Sequence, residues 1–242
     1  MVFAPHQDDE TLGCGGTIIK KRRVGARVRI VFLTDGGKSH SHLIPKDELK
    51  AMRAREALAA SEVLGVEAKD VLFLEFEDSR LEKQEVAAVR KVEEILLRER
   101  PEEIFVPYSK DAQSDHLATN RIVRAALARC RRPAIVYEYP VWFWTHWPWA
   151  NLPIGSRREI LAQAKKSVVS SWSLLRDFRW AVEVSDVLGA KREALDQYKS
   201  QMTRLVPDSR WRTIGDVADG AFLECFFQNY EIFHRYSYPK AG

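Results

Sequence analysis

The chain has 242 residues, 45% of them hydrophobic and 30% charged, with a net charge of +4. That is an ordinary globular composition, long enough to bury a real core. No apolar run approaches the ~20 residues a membrane-spanning helix needs, which argues against an integral membrane protein, and no nucleic-acid-binding signature accompanies the mild positive charge.

The three cysteines, Cys14, Cys130 and Cys225, are far apart and form no CxxC pair. A disulfide scaffold or a cysteine metal site is therefore not expected, and a reducing, cytoplasmic setting fits best. No secretory signal pattern opens the chain. The first strand starts almost at Met1, however, which leaves open a longer natural N-terminus. The basic clusters Lys20 to Arg23, Arg131-Arg132 and Arg157-Arg158 have two readings. They are solvated helix ends and loops, or a surface that attracts an anionic substrate, polymer or leaflet. A homo-oligomer is left open.

In chain order, Val2 to Ala4 reads as a short buried strand and Thr11 to Lys21 as a helix. Val28 to Leu33 is a β-branched strand, stopped by Thr34-Asp35-Gly36-Gly37. Leu43 to Leu64 is a helix with Gly65 as its C-terminal stop. Val71 to Phe76 is a strand, and Glu85 to Arg100 an amphipathic helix closed by Pro101. Ile104 to Tyr108, Leu117 to Cys130 and Ala134 to Tyr139 continue as strand, helix and strand. Glu159 to Val169 and Val187 to Met202 have helical spacing, and the aromatic stretch Phe222 to Tyr236 fits either helix or strand.

Strands alternating with helices predict an α/β fold: a doubly wound, mostly parallel, Rossmann-like sheet with helices on both faces. The expectation is a single domain, with residues from about 150 onward as a C-terminal extension packed on it. Ligands of such sheets sit outside the carboxyl ends of the strands, so the segments after those ends are the candidate sites.

The first such segment is Pro5-His6-Gln7-Asp8-Asp9-Glu10. Three consecutive acids repel one another unless a cation is near, although they also suit the N-terminus of a helix. His6 and Asp9 can both point at one ion, with Asp8 beside it. The second is Asp111-Ala112-Gln113-Ser114-Asp115-His116, also past a strand and opening a helix. Together they offer a His/Asp/His set with one open position, the pattern of a catalytic zinc site.

These motifs resemble the PIG-L/LmbE-like N-deacetylases, whose first motif reads P/A-H-[PQ]-D-D-E. The likeness continues in Leu12-Gly13-Cys14-Gly15-Gly16-Thr17, Thr34-Asp35-Gly36, Arg53-x-x-Glu56 with Leu64-Gly65, and Asp115-His116. It returns faintly at Lys191 and Tyr198-Lys199-Ser200-Gln201. The resemblance implies the LmbE-like fold and a hydrolase that removes the N-acetyl group from an N-acetylglucosamine-type sugar or glycoconjugate. It implies His6, Asp9 and His116 as ligands of Zn2+, other divalent metals being possible, and Asp8 as general base. It makes Arg53 a substrate contact, the alternative being a helix-surface arginine paired with Glu56 or Glu48. Asp35 and Asp115 would support the site from behind, with simple turn chemistry as the other reading of Asp35.

The usual second motif of that family is H-x-D-H, and this chain has Gln113 at its first position. Gln113 can donate a neutral hydrogen bond to an oxyanion but cannot carry a proton. It is taken as a catalytic candidate, with orientation of Asp115 as the other role. His40, His42 and His146 are candidate substitutes for the missing histidine.

The run Trp142 to Trp149 holds four of the seven tryptophans. Trp142 and Trp144 are taken as platforms for sugar rings, against core packing and a membrane-interface contact. Gly13, Gly15 and Gly16 do not make the G-x-G-x-x-G of a dinucleotide site and are read as allowing close packing of the first helix. Competing functions are hydrolysis of a different acylated amino sugar or glycopeptide, and a degenerate carbohydrate-binding protein.

Overall fold

The computed structural model describes residues 1–145 and 172–238. Five strands run parallel: β1 (Val2–Ala4), β2 (Ile30–Thr34), β3 (Val71–Phe76), β4 (Glu103–Pro107) and β5 (Ala134–Tyr139). Four helices alternate with them: α1 (Asp9–Arg23), α2 (Lys46–Val63), α3 (Glu85–Glu99) and α4 (Ser114–Cys130). With two further strands, β6 (Trp180–Glu183) and β7 (Tyr230–Tyr238), the strand order is β3-β2-β1-β4-β5-β7-β6.

Alternation along the strands explains the two helical layers. Successive side chains of a strand point to opposite faces. Ile30 and Phe32 thus join the cluster under α1 and α2, with Leu12, Ile18, Ala57 and Ala60. Val31 and Leu33 join the one under α3 and α4, with Val92, Ile95, Ile122 and Val123. The sheet is doubly wound as expected, and its order reverses between β1 and β4, where such folds hold ligands.

The last third adds strands to the same sheet. β7 (Tyr230–Tyr238) pairs antiparallel with β5, and β6 (Trp180–Glu183) pairs with β7. This region completes the sheet. Phe222 to Tyr236, open between helix and strand, divides into a short helix, Ala221–Glu224, and β7. The stretch Val187 to Met202 is two helices, Leu188–Leu195 and Lys199–Met202, with Tyr198 at the break. The predicted helix Glu159 to Val169 lies outside the described residues, as do Arg157 and Arg158.

α1 is broken at Cys14, whose φ of −150° is not helical. The break frees the N–H groups of Gly16 and Thr17, and both donate to the Glu231 carboxylate at 2.8 and 2.7 Å. Lys191 Nζ meets the same carboxylate at 2.8 Å and caps the carbonyl of Leu12 at 2.9 Å. A Cβ on Gly13 would stand 2.1 Å from the Tyr139 ring, and one on Gly16 2.7 Å from Val184. These glycines therefore serve close packing of the first helix.

Three of the four cations of the cluster Lys20 to Arg23 meet acids: Lys20 and Arg23 pair with Asp186 at 2.8 and 3.0 Å, and Lys21 pairs with Glu103, while Arg22 donates to the carbonyls of Gly65 and Ala26. The cluster is a solvated helix end rather than an anion-attracting surface. All three cysteines are free. No helix among the described residues is long and apolar enough to cross a membrane.

Candidate active site

The site forms where β1 and β4, neighbours at the switch point, each hand over to a helix. His6 follows β1 and Asp9 opens α1; His116 lies in the first turn of α4. Acids at these helix starts face the positive ends of the helix dipoles, which favours them there. Asp78 arrives from the turn after β3.

His6 Nδ1 and the His6 backbone N–H both approach Asp9 Oδ2, at 3.1 and 3.0 Å. His116 Nε2 stands 3.2 Å from the same oxygen. The ligand atoms of His6, Asp9 and His116 all lie within 4.8 Å of one another, and all three residues are buried. Each imidazole is backed on its far side by carboxylate. His116 Nδ1 meets Asp111 Oδ2 at 3.2 Å, while His6 Nε2 lies 3.4 Å from both Asp78 Oδ1 and Asp115 Oδ2. Such outer carboxylates fix the tautomer, so that the inner nitrogen offers its lone pair to a metal.

That inner nitrogen of His116 is buried and makes no hydrogen bond. A lone pair aimed at a carboxylate oxygen requires positive charge between them. The electrostatics agree. Burial works against charging His6, yet Asp115, Asp78 and Asp9 hold it well above the usual histidine range. Burial likewise opposes the charging of His116, but Asp9 and Asp111 push it up to about 9. Asp9 is buried too, and the two histidines still hold it far below the usual carboxylate range. A divalent cation satisfies this field as a proton does, and the donor set fits one. His6, Asp78 and Asp115 form a second group within the same separation. Asp115 is the weaker ligand candidate, because its oxygens already accept from the N–H groups of Ser79 and Leu81 at 2.7 and 3.3 Å. It contacts His6 and the turn after β3.

Asp8 stands beside this set with φ 132° and ψ −29°, a conformation a side-chain-bearing residue rarely adopts. Arg53 is buried rather than on the helix surface. Its guanidinium donates to Asp8 Oδ2 at 3.2 Å and to the carbonyl of Gln7. Glu56 does not pair with it; it accepts from Ser200 N and Oγ at 2.8 and 2.6 Å. Burial pushes Asp8 up to about 8, Arg53 and His6 pulling against it and Asp9 and Glu10 adding to it.

A cavity of about 260 Å³ opens over these groups. Its lining combines the polar and charged His6, Asp8, Asp9, Arg53, Asp78 and Gln113 with the apolar Trp142, Phe222, Ile214 and Val217 and the hydrogen-bonding Ser39, Gln201 and Thr213. Trp142 stacks on Phe222, centroids 5.0 Å apart. Trp144 packs edge-on against Phe143 and is not part of this lining. Trp147 and Trp149 lie outside the described residues.

Gln113 is the N-cap of α4: its side-chain oxygen accepts from the N–H groups of Asp115 and His116 at 2.9 and 3.2 Å. Asp35 is one step further out. It accepts from Gly37 N at 3.0 Å and Asp78 N at 3.3 Å, and pairs with Lys50 at 2.8 Å. Turn chemistry and support of Asp78 thus coincide in it. The candidate substitute His40 is stacked on Trp211 at 4.1 Å and bound to the carbonyl of Arg212 at 2.9 Å. His42 is exposed, neither lines the cavity, and His146 lies outside the described residues. Residues that sequence reasoning left without a role are Asp78, Asp111, Glu10 and Tyr198. Asp111 and Glu10 stand in the two motifs and Tyr198 in the faint later likeness, whereas Asp78 had no local signal.

A family model described as PIG-L, GlcNAc-PI de-N-acetylase, matches residues 1–127, more than half of the chain. The chain belongs to the PIG-L family. Its members are N-deacetylases, and this chain is one of these hydrolases. The diacetylchitobiose deacetylase of Thermococcus kodakarensis is 25% identical over 218 residues, covering 87% of this chain and 71% of that protein. The solved N,N'-diacetylchitobiose deacetylase from Pyrococcus horikoshii is similar with TM-score 0.67 and 19% identity, over 97% of this chain and 82% of that one. GalB of Pseudomonas putida KT2440, a 4-carboxy-2-hydroxymuconate hydratase, has TM-score 0.58 and 16% identity, over 93% and 82% of the two chains. Likeness at that level shows the fold alone, so the reaction must be argued from the site.

Proposed function

We propose that this PIG-L protein is a zinc-dependent hydrolase that releases acetate from the 2-acetamido group of an N-acetylglucosamine-type sugar or glycoconjugate. The observation that carries this reading is the convergence of the buried His6, Asp9 and His116 next to a cavity that His6, Asp8 and Asp9 line. Two histidines and one carboxylate match a catalytic zinc site with an open position. When bound, the ion supplies a water of pKa near ~7 and a Lewis acid for the amide carbonyl.

The chain's own groups do the rest. Asp8 accepts the proton of the attacking water and returns it to the leaving amine, a role suited to a carboxyl whose pKa burial raises. Arg53 grips the Asp8 carboxylate and fixes where it points. Gln113 spends its amide oxygen on the helix cap, which leaves its amide NH2 as the donor for the developing oxyanion. Trp142 and Phe222 offer flat apolar surface to a sugar ring, and Ser39, Gln201 and Thr213 offer hydrogen bonds to hydroxyls. The relative named as a diacetylchitobiose deacetylase supports this substrate class. An acetate-release assay on a panel of N-acetylglucosaminides, with chelated and zinc-restored protein, tests the reading. Zinc-restored protein that releases no acetate from any of them overturns it.

Gln113 can be tested with its two roles separated. Gln113→Ser keeps a good N-cap but removes the amide donor. Loss of one oxyanion donor typically costs ~3 kcal/mol, about a hundredfold in turnover. Gln113→Ser is expected to keep its melting temperature and lose turnover on that scale, with Gln113→His restoring part of it. Full turnover in Gln113→Ser would leave Gln113 as a cap only.

Arg53→Gln probes the base through pH. The guanidinium holds the Asp8 pKa down against burial. Removing it raises that pKa, so less Asp8 is ionised at a given pH. The acid limb of the kcat/KM profile is expected to move to higher pH, with a lower plateau. An unmoved limb would separate Arg53 from the base.

A further inference from the structure

We infer that Glu10 and Tyr198 are positioning residues that hold the backbone of Asp8 in its left-handed conformation, so that the C-terminal third of the chain sets the aim of the N-terminal base. The inference rests on the proposed role of Asp8 as the base.

A side-chain-bearing residue at φ 132° is strained, and such a conformation persists only where its surroundings over-determine it. Asp8 is held from several directions. Its carbonyl accepts the N–H groups of Thr11 and Leu12 at 3.1 and 2.9 Å, where α1 begins. Arg53 holds the Gln7 carbonyl and the Asp8 carboxylate. The Asp8 N–H donates to Glu10 Oε2 at 3.1 Å.

Glu10 is held in turn. It is fully buried, and its other oxygen accepts from the Tyr198 hydroxyl at 2.6 Å and from Thr11 Oγ1. Every contact is a donor to the carboxylate, so Glu10 is satisfied as an acceptor and reaches the reacting atoms only through Asp8. Tyr198, also fully buried, sits between the helices Leu188–Leu195 and Lys199–Met202. Two residues on, Ser200 binds Glu56, one turn along α2 from Arg53. One short segment therefore holds both Glu10, which binds Asp8 N–H, and the helix that carries Arg53. Without the Tyr198 hydroxyl, the Glu10 carboxylate can rotate, Asp8 N–H loses its acceptor, and the backbone can relax toward negative φ, carrying the carboxylate away from its target.

Tyr198→Phe removes one oxygen atom and Glu10→Gln removes one charge while keeping an acceptor for Asp8 N–H. Misplacing a catalytic group by 1 Å can cost about a hundredfold; a loss of about tenfold or more in kcat is expected for Tyr198→Phe and a smaller one for Glu10→Gln. KM, zinc content and melting temperature should change little. Amide hydrogen exchange should rise in a peptide covering residues 5–12. The deciding measurement is a double-mutant cycle: if Tyr198 acts through Asp8, its effect on the residual turnover disappears in the Asp8→Asn background. Wild-type kcat in both variants, or a loss of the same size in both backgrounds, overturns the inference. Glu10→Gln carries the cycle if Tyr198→Phe folds poorly. Wild-type turnover in Asp8→Asn alone would instead remove the base itself.

Discussion

Asp8→Asn is expected to keep its metal and lose turnover by roughly 10²–10⁴-fold, the range that a positioned general base contributes. The substitution is nearly isosteric and leaves an oxygen for the Arg53 guanidinium to bind, so the local geometry has little reason to change. What changes is proton affinity: an amide oxygen cannot take the water's proton at neutral pH. Asp8 lines the cavity with His6 and Asp9 without belonging to either candidate cation group among the described residues. Turnover and bound zinc, measured on the same preparation, read the two consequences separately. Wild-type turnover would remove Asp8 as base, and loss of zinc would make it a ligand.

His116→Ala is expected to lose most of its bound metal and with it the activity. Loss of an outer-shell partner alone typically costs about 10–100-fold in metal affinity, and His116 is placed inside that shell, so its removal should cost more. Asp111→Asn provides the internal comparison. It leaves both imidazoles in place but weakens the carboxylate that orients His116, so its loss should fall within that smaller range. Titration of stripped protein with zinc would give both affinities, with melting temperature as a check, because His116 is fully buried. Equal affinities for wild type and His116→Ala would take His116 out of the ligand set.

Much of this site can be read from short stretches of sequence, and the reason is geometric. His6, Asp8 and Asp9 lie within four residues at a strand-to-helix turn, so local backbone geometry alone brings them to one place. His116 opens another helix after another strand, and the doubly wound topology puts both starts at one sheet edge. The strand–helix alternation was legible for the same reason: each strand carries apolar residues for two faces, and each helix covers one.

Where a side chain's partner lies far along the chain, the sequence left the choice open. Arg53 and Glu56, three apart, suit a surface ion pair, yet packing buries both and gives them different partners, Asp8 and Ser200. Gln113, read as an oxyanion donor or as a residue that orients Asp115, accepts the N–H groups of Asp115 and His116 at the start of α4, a local partner the sequence did not single out. His40 looked available on a loop until Trp211 stacked over it. The aromatic stretch before Tyr236 fits two periodicities, and the open edge of β5 decided for a strand. Tyr198 reaches Glu10 across 188 positions of sequence. Local chemistry and hydrophobic period therefore determined the turn that carries the candidate ligands, the acid beside them and the order of strands and helices. Which distant groups orient them was decided only when the sheet closed, because burial removes water as the alternative partner and obliges each polar group to find its counterpart in the fold.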